Sequence, residues 1–464
     1  MTALERDDIQ GNVLRGYNFS CARYLVARVR DDREAPAAAR SWLAAQADPV
    51  TTDADWTVRP RLVGNLALSH AGLAALGLPR GLRETFPRDF REGMAARAGL
   101  IGDVGGDAPE HWEEGLRPGA IHVLVTLSGD DPAALARASA RVRRDMAAHG
   151  LEPGFEQEAA KLGGDREHFG FTDGFGQPSI AGVVRHEVAG QGVAVRRRPW
   201  HRLRRDLVPC ATDRRVAWRP LRPGEFVLGY DDEDGGPPPA PAPPLHRNGT
   251  FMVWRKLHQD VAGFRAFVAG AARSTGLEAG LVAAKVIGRW PDGSPLALRP
   301  HGGDTALGED RERVNDFAYG TDPSGFACPR GAHVRRANPR DAFGRRGRLT
   351  ARHRILRRGL PYGPRLEEGA DDDGADRGLV FVALQASIER QFEIVQARWL
   401  NDGNAFGLGG TPDPVAGTVG APARQAFGGH PPRYATAMRG FVTHRGGEYL
   451  YVPGISALRA FATL

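Results

Sequence analysis

The sequence predicts an α+β protein in which helices are layered on sheets. Two sets of strand-length and helix-length segments carry that reading, one in the first third of the chain and one in the second half. Gly- and Pro-rich stretches separate them. The 464 residues exceed one ordinary core, which favours two domains.

In the first set, residues 21–30 (CARYLVARVR) alternate as a strand, and Ala-rich residues 34–46 are helical in composition. Residues 63–69 and 121–128 read as further strands and 71–77 as a short helix. Residues 131–148 form an amphipathic helix through Leu135, Ala138, Val142 and Met146, with Asp130 or Asp131 as its cap. In the second set, residues 250–257 are a strand, and Asp260 precedes a helix through Val261, Phe264, Phe267 and Val268. Residues 379–386 are an apolar run of strand length, and 388–400 have helical periodicity through Ile388, Phe392, Val395 and Trp399. The two sets suggest a duplicated plan without a clear sequence repeat. Residues 190–224, 235–244, 291–330 and 401–440 read as long loops, the second of them extended and solvated.

Composition bounds the function. The chain is 41% hydrophobic and 25% charged, as in globular proteins. Its net charge of +7 is almost all arginine, because Lys161, Lys256 and Lys285 are the only lysines. A nucleic-acid surface is one reading of such clusters, and a solvated basic surface is the preferred one. Three cysteines (Cys21, Cys210, Cys328) without CxxC spacing argue against a disulfide framework or a zinc site, and no CxxCH segment exists for covalent haem. The charged opening residues and the lack of a long apolar run predict neither a secretory signal nor a membrane span, so the expected location is the cytoplasm.

Three strings carry candidate chemistry. Gly170-Phe-Thr-Asp173-Gly174-Phe175-Gly176-Gln177-Pro178 sets one carboxylate among three glycines; alone, it reads as an Asx turn. Cys328-Pro-Arg-Gly-Ala-His333-Val-Arg-Arg-Ala-Asn338-Pro339-Arg340 holds an imidazole suited to haem iron, with arginines suited to its acid groups; alone, it reads as a capping histidine in a basic loop. Arg354-Ile-Leu-Arg357-Arg358-Gly-Leu-Pro-Tyr362 precedes an acidic loop and an apolar strand, and an ordinary basic turn satisfies it equally well.

Order and wording together are more specific. With the opening Asp8-Ile-Gln-Gly-Asn-Val-Leu-Arg-Gly16, the segment Leu66–Pro79, Gly170–Gly174, Gly331-Ala-His333 and Ile388–Gln396, the chain resembles the dye-decolourising peroxidase family over nearly its whole length. The resemblance implies two ferredoxin-like domains with antiparallel sheets, over residues 1–190 and 222–464. It implies non-covalent haem b in a cavity mainly of the second domain, with His333 as the iron ligand. Asp173 and an arginine would face the peroxide. Arg357 is chosen for that arginine, with Arg358 and Arg354 as competitors. Gly174, Phe175, Gly176, Asn338, Pro339 and Arg340 match haem-lining segments, and Leu379 and Phe381 would be apolar neighbours of the peroxide.

The implied activity is oxidation of dyes and phenolics by hydrogen peroxide through a ferryl intermediate. A haem-handling protein with weak turnover is the alternative. Asp173 would shuttle a proton between the peroxide oxygens, and Arg357 would stabilise charge on the leaving oxygen. A carboxylate beside arginine has a depressed pKa, so activation at acidic pH is expected. The expected partners are hydrogen peroxide and small organic reductants, without nucleic acid or membrane; a homo-oligomer is left open. Surface aromatics would serve bulky donors, with Trp254, Trp399, Tyr319 and Tyr362 as candidates that read individually as packing residues. His168, His258 and His353 lack the motif around His333 and read as hydrogen-bonded or solvated.

Overall fold

A computed structural model of the chain describes residues 3–184, 187–196, 216–418, 423–428 and 431–464. Cys210 and the centre of the Arg- and Pro-rich stretch 190–224 lie outside the described residues. The strands and helices that position the site are β1 (Cys21–Val29), α1 (Ala35–Ala45), β2 (Leu62–Ser69), β3 (Val123–Gly129), α2 (Pro132–Ala148) and β4 (Leu151–Ala160). The second set is β5 (Thr250–Gln259), α3 (Val261–Thr275), α4 (His333–Ala337), β6 (Leu356–Arg357), β7 (Leu360–Tyr362), β8 (Gly378–Gln385), α5 (Glu389–Asn401) and β9 (Val442–Val452).

Among the described residues, nine strands form one antiparallel sheet in the order β4-β1-β3-β2-β9-β5-β8-β6, with β7 also on β8. That order contains one plan twice. Counted within its own set, each half runs fourth-first-third-second strand, and the halves abut where Leu450 and Tyr451 of β9 pair with Ser69 and Leu68 of β2. The expected α+β class with antiparallel sheets is therefore what the chain adopts.

Side-chain alternation explains the layers. Along β1, Leu25, Ala27 and Val29 point into a core shared with Ala39, Trp42 and Leu43 of α1 and Leu135, Ala138 and Met146 of α2. Ala22, Tyr24 and Val26 point to the opposite face, into a second core with Met252 and Trp254 of β5 and Val380, Val382 and Leu384 of β8. Helices thus cover one face, and the other faces of the two halves meet, with the Tyr24 and Trp254 rings 6.1 Å apart. Each fully buried Leu contributes about 1.5–3 kcal/mol.

The helix caps follow their sequence signals. Asp131, not Asp130, caps α2, accepting from the Ala133 and Ala134 N–H groups. Asp260 caps α3 through the Gly263 N–H at 2.7 Å. The periodic segment at 389–401 is wound as a π-helix.

Some expected loops contain strands. Residues 193–196 pair with 216–219, and 423–427 with 433–438. The stretch 235–244 is not wholly solvated, since Pro238 and Pro241 are buried. Among the described residues, no helix is long and apolar enough to cross a membrane.

Candidate active site

A cavity of about 440 Å³ opens beside the face where the halves meet. Tyr17, Asn65, Thr126 and Ser128 of the first half line it together with Asp173, Gly174, Gln177, Arg357, Leu379 and Phe381. Of the sequence-predicted site residues, it gathers Asp173, Gly174, Arg357, Leu379 and Phe381. His333, Phe175, Gly176, Asn338, Pro339 and Arg340 do not line it.

Asp173 lies on the segment between the halves, with its N–H on the Asp165 carbonyl at 2.7 Å. Gly174 follows at φ +88°, a left-handed turn that a side chain strains. Arg357 comes from the two-residue strand β6, opposite Ala383 of β8. Its Nη1 donates to both Asp173 oxygens, at 2.8 and 3.1 Å. Both side chains are partly open, 43% for Asp173 and 33% for Arg357, so as a stability device the pair contributes at most about 1 kcal/mol. Burial pushes the Asp173 carboxyl up, but the Arg357 charge and the Gly174 N–H outweigh it and hold the group below its ordinary range.

The neighbouring arginines go elsewhere. Arg358 donates to the carbonyls of Asn12, Val13 and Arg357. Arg354 is buried and donates to the Gly176 carbonyl at 3.3 Å. Leu379 and Phe381 alternate onto one face of β8, and the Phe381 ring lies 6.0 Å from that of Phe392.

His333 begins α4. Its Nδ1–H donates to Asp413 Oδ1 at 3.0 Å, which leaves the Nε2 lone pair to coordinate a metal. Burial pushes the imidazole down, but the Asp413 charge and hydrogen bond overcome this and raise its pKa. Asp413 is fully buried and also accepts from the Val415 and Ala416 N–H groups. The charges of Asp173 and Arg357 both act on His333.

A third group surrounds Asn315. Its side chain donates to the Phe175 carbonyl at 2.7 Å and accepts from Arg289 at 2.7 Å. Arg340, at φ +50°, reaches the Asn315 and Phe317 carbonyls and stacks on Phe317 at 3.8 Å. Asn338 closes α4 and Pro339 follows it. Burial, reinforced by neighbouring arginines, pulls the Arg354 guanidinium down to about 9 and that of Arg289 to about 10.

These features fit haem. A carboxylate-backed imidazole suits the iron, Leu379 and Phe381 offer apolar contact, and buried guanidinium groups suit a porphyrin's acid groups. Among the described residues, the buried Asn338 Oδ1 has no hydrogen-bond partner, which leaves a polar atom open to a bound group.

Asp413, Asn315 and Gln177 escaped the sequence reading. The only local signal for Asp413 is its place between Pro412 and Pro414 in a Gly-rich run. The other histidines have structural partners: His168 meets the Tyr362 carbonyl, His258 meets Asp376 and His353 meets the Arg390 carbonyl. Trp254, Trp399, Tyr319 and Tyr362 are all buried packing residues, so none is a surface relay.

An imidazole with a carboxylate behind it and an Asp–Arg pair at a cavity, on a duplicated α+β sheet, are the parts that a haem-dependent peroxidase needs. The family described as Dyp-type peroxidase, C-terminal, matches residues 285–419. The dye-decolorizing peroxidase of Mycena epipterygia is 30% identical, with 99% of this chain and 87% of the relative covered. An ancestral D-type dye decolorizing peroxidase superposes with a TM-score of 0.82 at 27% identity over all of both chains. A dye-decolorizing peroxidase in complex with 2,6-dimethoxyphenol does so at 0.78 and 26%, over 99% of this chain and 100% of its own. The chain belongs to the dye-decolorizing peroxidase family.

Proposed function

We propose that the chain oxidises dyes and phenolics with hydrogen peroxide, using haem b held without a covalent link and mainly by residues of 222–464, with residues 1–190 as the partner domain. The observation that carries this reading is the Asp173–Arg357 contact at 2.8 Å on the cavity wall. The phenol complex of the structural relative supports the donor class.

His333 Nε2 would hold the iron, with Asp413 fixing the ring through Nδ1–H. Arg354, Arg340 and Asn338 would face the macrocycle's polar edge, and Gly174, Phe175, Gly176 and Pro339 would shape the walls. Haem supplies the redox chemistry when bound. The protein supplies the proton movement. An ionised Asp173 oxygen takes a proton from one peroxide oxygen and returns it to the other as the O–O bond breaks. The Arg357 guanidinium, already on the carboxylate, stabilises the negative charge that develops on the departing oxygen. Leu379 and Phe381 limit competing water.

The test is an absorption spectrum of the haem-loaded protein before and after one equivalent of peroxide, for the wild type, Asp173→Asn and His333→Ala. The expected wild-type result is a rapid spectral change. Asp173→Asn should keep the Soret band and lose peroxide reactivity, and His333→Ala should lose or weaken iron coordination. An Asp173→Asn protein that reacts at the wild-type rate overturns the proton-shuttle role, whereas a haem-loaded wild type whose spectrum peroxide does not move leaves haem handling as the activity. An unchanged Soret band and spin state in His333→Ala overturn the ligand assignment.

A further inference from the structure

Strand β6 is only two residues long and ends the sheet. Its ladder to β8 pairs Leu356 with Leu384 and Arg357 with Ala383, and the Arg358 N–H reaches back to the Val382 carbonyl at 2.9 Å. Alternation along an antiparallel strand therefore turns the Arg357 N–H and C=O away from β8, towards the side where, among the described residues, the sheet has no further strand. A side chain meets them there. Gln177 Oε1 accepts from the Arg357 N–H at 3.0 Å, and Gln177 Nε2 donates to the Arg357 carbonyl at 3.1 Å. The planar carboxamide supplies the donor and acceptor that an adjoining strand would.

Gln177 stands four residues after Asp173, and the intervening segment is fastened. The Phe175 carbonyl accepts from Asn315 Nδ2 at 2.7 Å and from Gln191 Nε2 at 3.2 Å, and the Gly176 carbonyl accepts from Arg354. A ring results: the Asp173 carboxylate, the Arg357 guanidinium, the Arg357 main chain, the Gln177 amide, and the chain back to Asp173. The carboxylate–guanidinium contact faces the cavity and is partly open, so it cannot fix its own geometry against solvent.

We infer that Gln177 is a positioning residue for peroxide activation, a side-chain substitute for a missing edge strand that locks the Asp173 turn to the Arg357 strand. The inference rests on Asp173 and Arg357 being the proton-handling pair. Loosening the clamp leaves both reacting groups present but lets their separation vary. Misplacement of this kind costs about 10–100-fold in rate. It also weakens the hold of Arg357 on the Asp173 carboxylate, so the pH below which the carboxylate is protonated moves up towards that of an ordinary aspartate.

The experiment compares wild type, Gln177→Met, Gln177→Glu and Asp173→Asn, all haem-loaded. It follows amide hydrogen exchange, the rate of reaction with peroxide against pH, and the KM of a phenolic donor. In Gln177→Met, the Arg357 amide should exchange about tenfold faster or more while that of Ala383 is unchanged. The peroxide rate should fall about 10–100-fold with an upward-shifted acid limb and an unchanged donor KM. Gln177→Glu keeps an acceptor for the Arg357 N–H and loses the donor, so it should recover the amide protection and part of the rate; it carries the test alone if the Met variant does not fold. Wild-type exchange at Arg357 in Gln177→Met, or a lower rate with an unmoved acid limb in either variant, overturns the positioning role. Asp173→Asn reacting at the wild-type rate overturns the proton-handling reading instead, while the exchange data still judge the clamp.

Discussion

The two halves share a strand order and differ in what they hang on it. In the first half, β2 is a full eight-residue strand. Its counterpart in the second half is broken into β6 and β7, of two and three residues. The connections differ as well. The run from β1 to β2 covers 30–61, whereas that from β5 to β6 covers 260–355 and contains His333. The run from α5 to β9, 402–441, contains Asp413. Asp173 lies between the halves, and Arg357 lies on the shortened strand. The groups proposed to carry the chemistry thus sit where the repeated plan is interrupted or extended, and the intact half would serve as scaffold.

Changes in the two regions should separate accordingly. The largest effect is expected from Asp173→Asn: stopped-flow rates with peroxide should drop about 10²–10⁴-fold, with haem content unchanged by the Soret band. Leu25→Ala, in the core of the intact half, should cost about 2–5 kcal/mol in denaturant unfolding while activity per bound haem is retained. Loss of peroxide reactivity in that variant at full haem occupancy would break the division. Asp413→Asn should weaken haem retention about 10–100-fold in a competition assay, because the His333 ring loses its carboxylate anchor.

The pH dependence follows from Asp173. Its carboxyl is held below the ordinary range, and only the ionised form accepts a proton. Reactivity should therefore persist as pH falls to about 4 and be lost only beneath that. An acid limb at or above pH 5, with haem still bound, would contradict it. The smallest effect is expected at the α2 cap, where Asp131→Ala should lower stability by about 1 kcal/mol and leave turnover alone.

Much of the scaffold was legible because its strands alternate and its helices are periodic. β1, β2, β3, β5 and β8 fall within a few residues of their sequence limits. β4 did not stand out, because an edge strand containing Pro153 and Gly154 lacks a continuous apolar pattern. β9 was hidden by Gly446-Gly447, where a bulge shifts the register. The three motif strings were legible as strings, yet Asp173 and Arg357 are 184 residues apart, and only folding shows which of Arg354, Arg357 and Arg358 meets the carboxylate. Asp413 and Gln177 act through contacts 80 and 180 residues away in sequence. No local pattern encodes such a partner.

The packing at the seam has a further consequence. Among the described residues, only two residue pairs join the halves along the sheet, yet Leu68 and Leu25 share one apolar core with Phe251 and Tyr451, and Tyr24 and Val26 share the other with Trp254 and Leu384. Repetition of architecture is therefore not autonomy of folding. Either half expressed alone would present the faces that now meet its twin as exposed apolar surface. The cooperative unit is the pair, so thermal melting should show one transition, and proteolysis should find no stable fragment ending between β4 and β5.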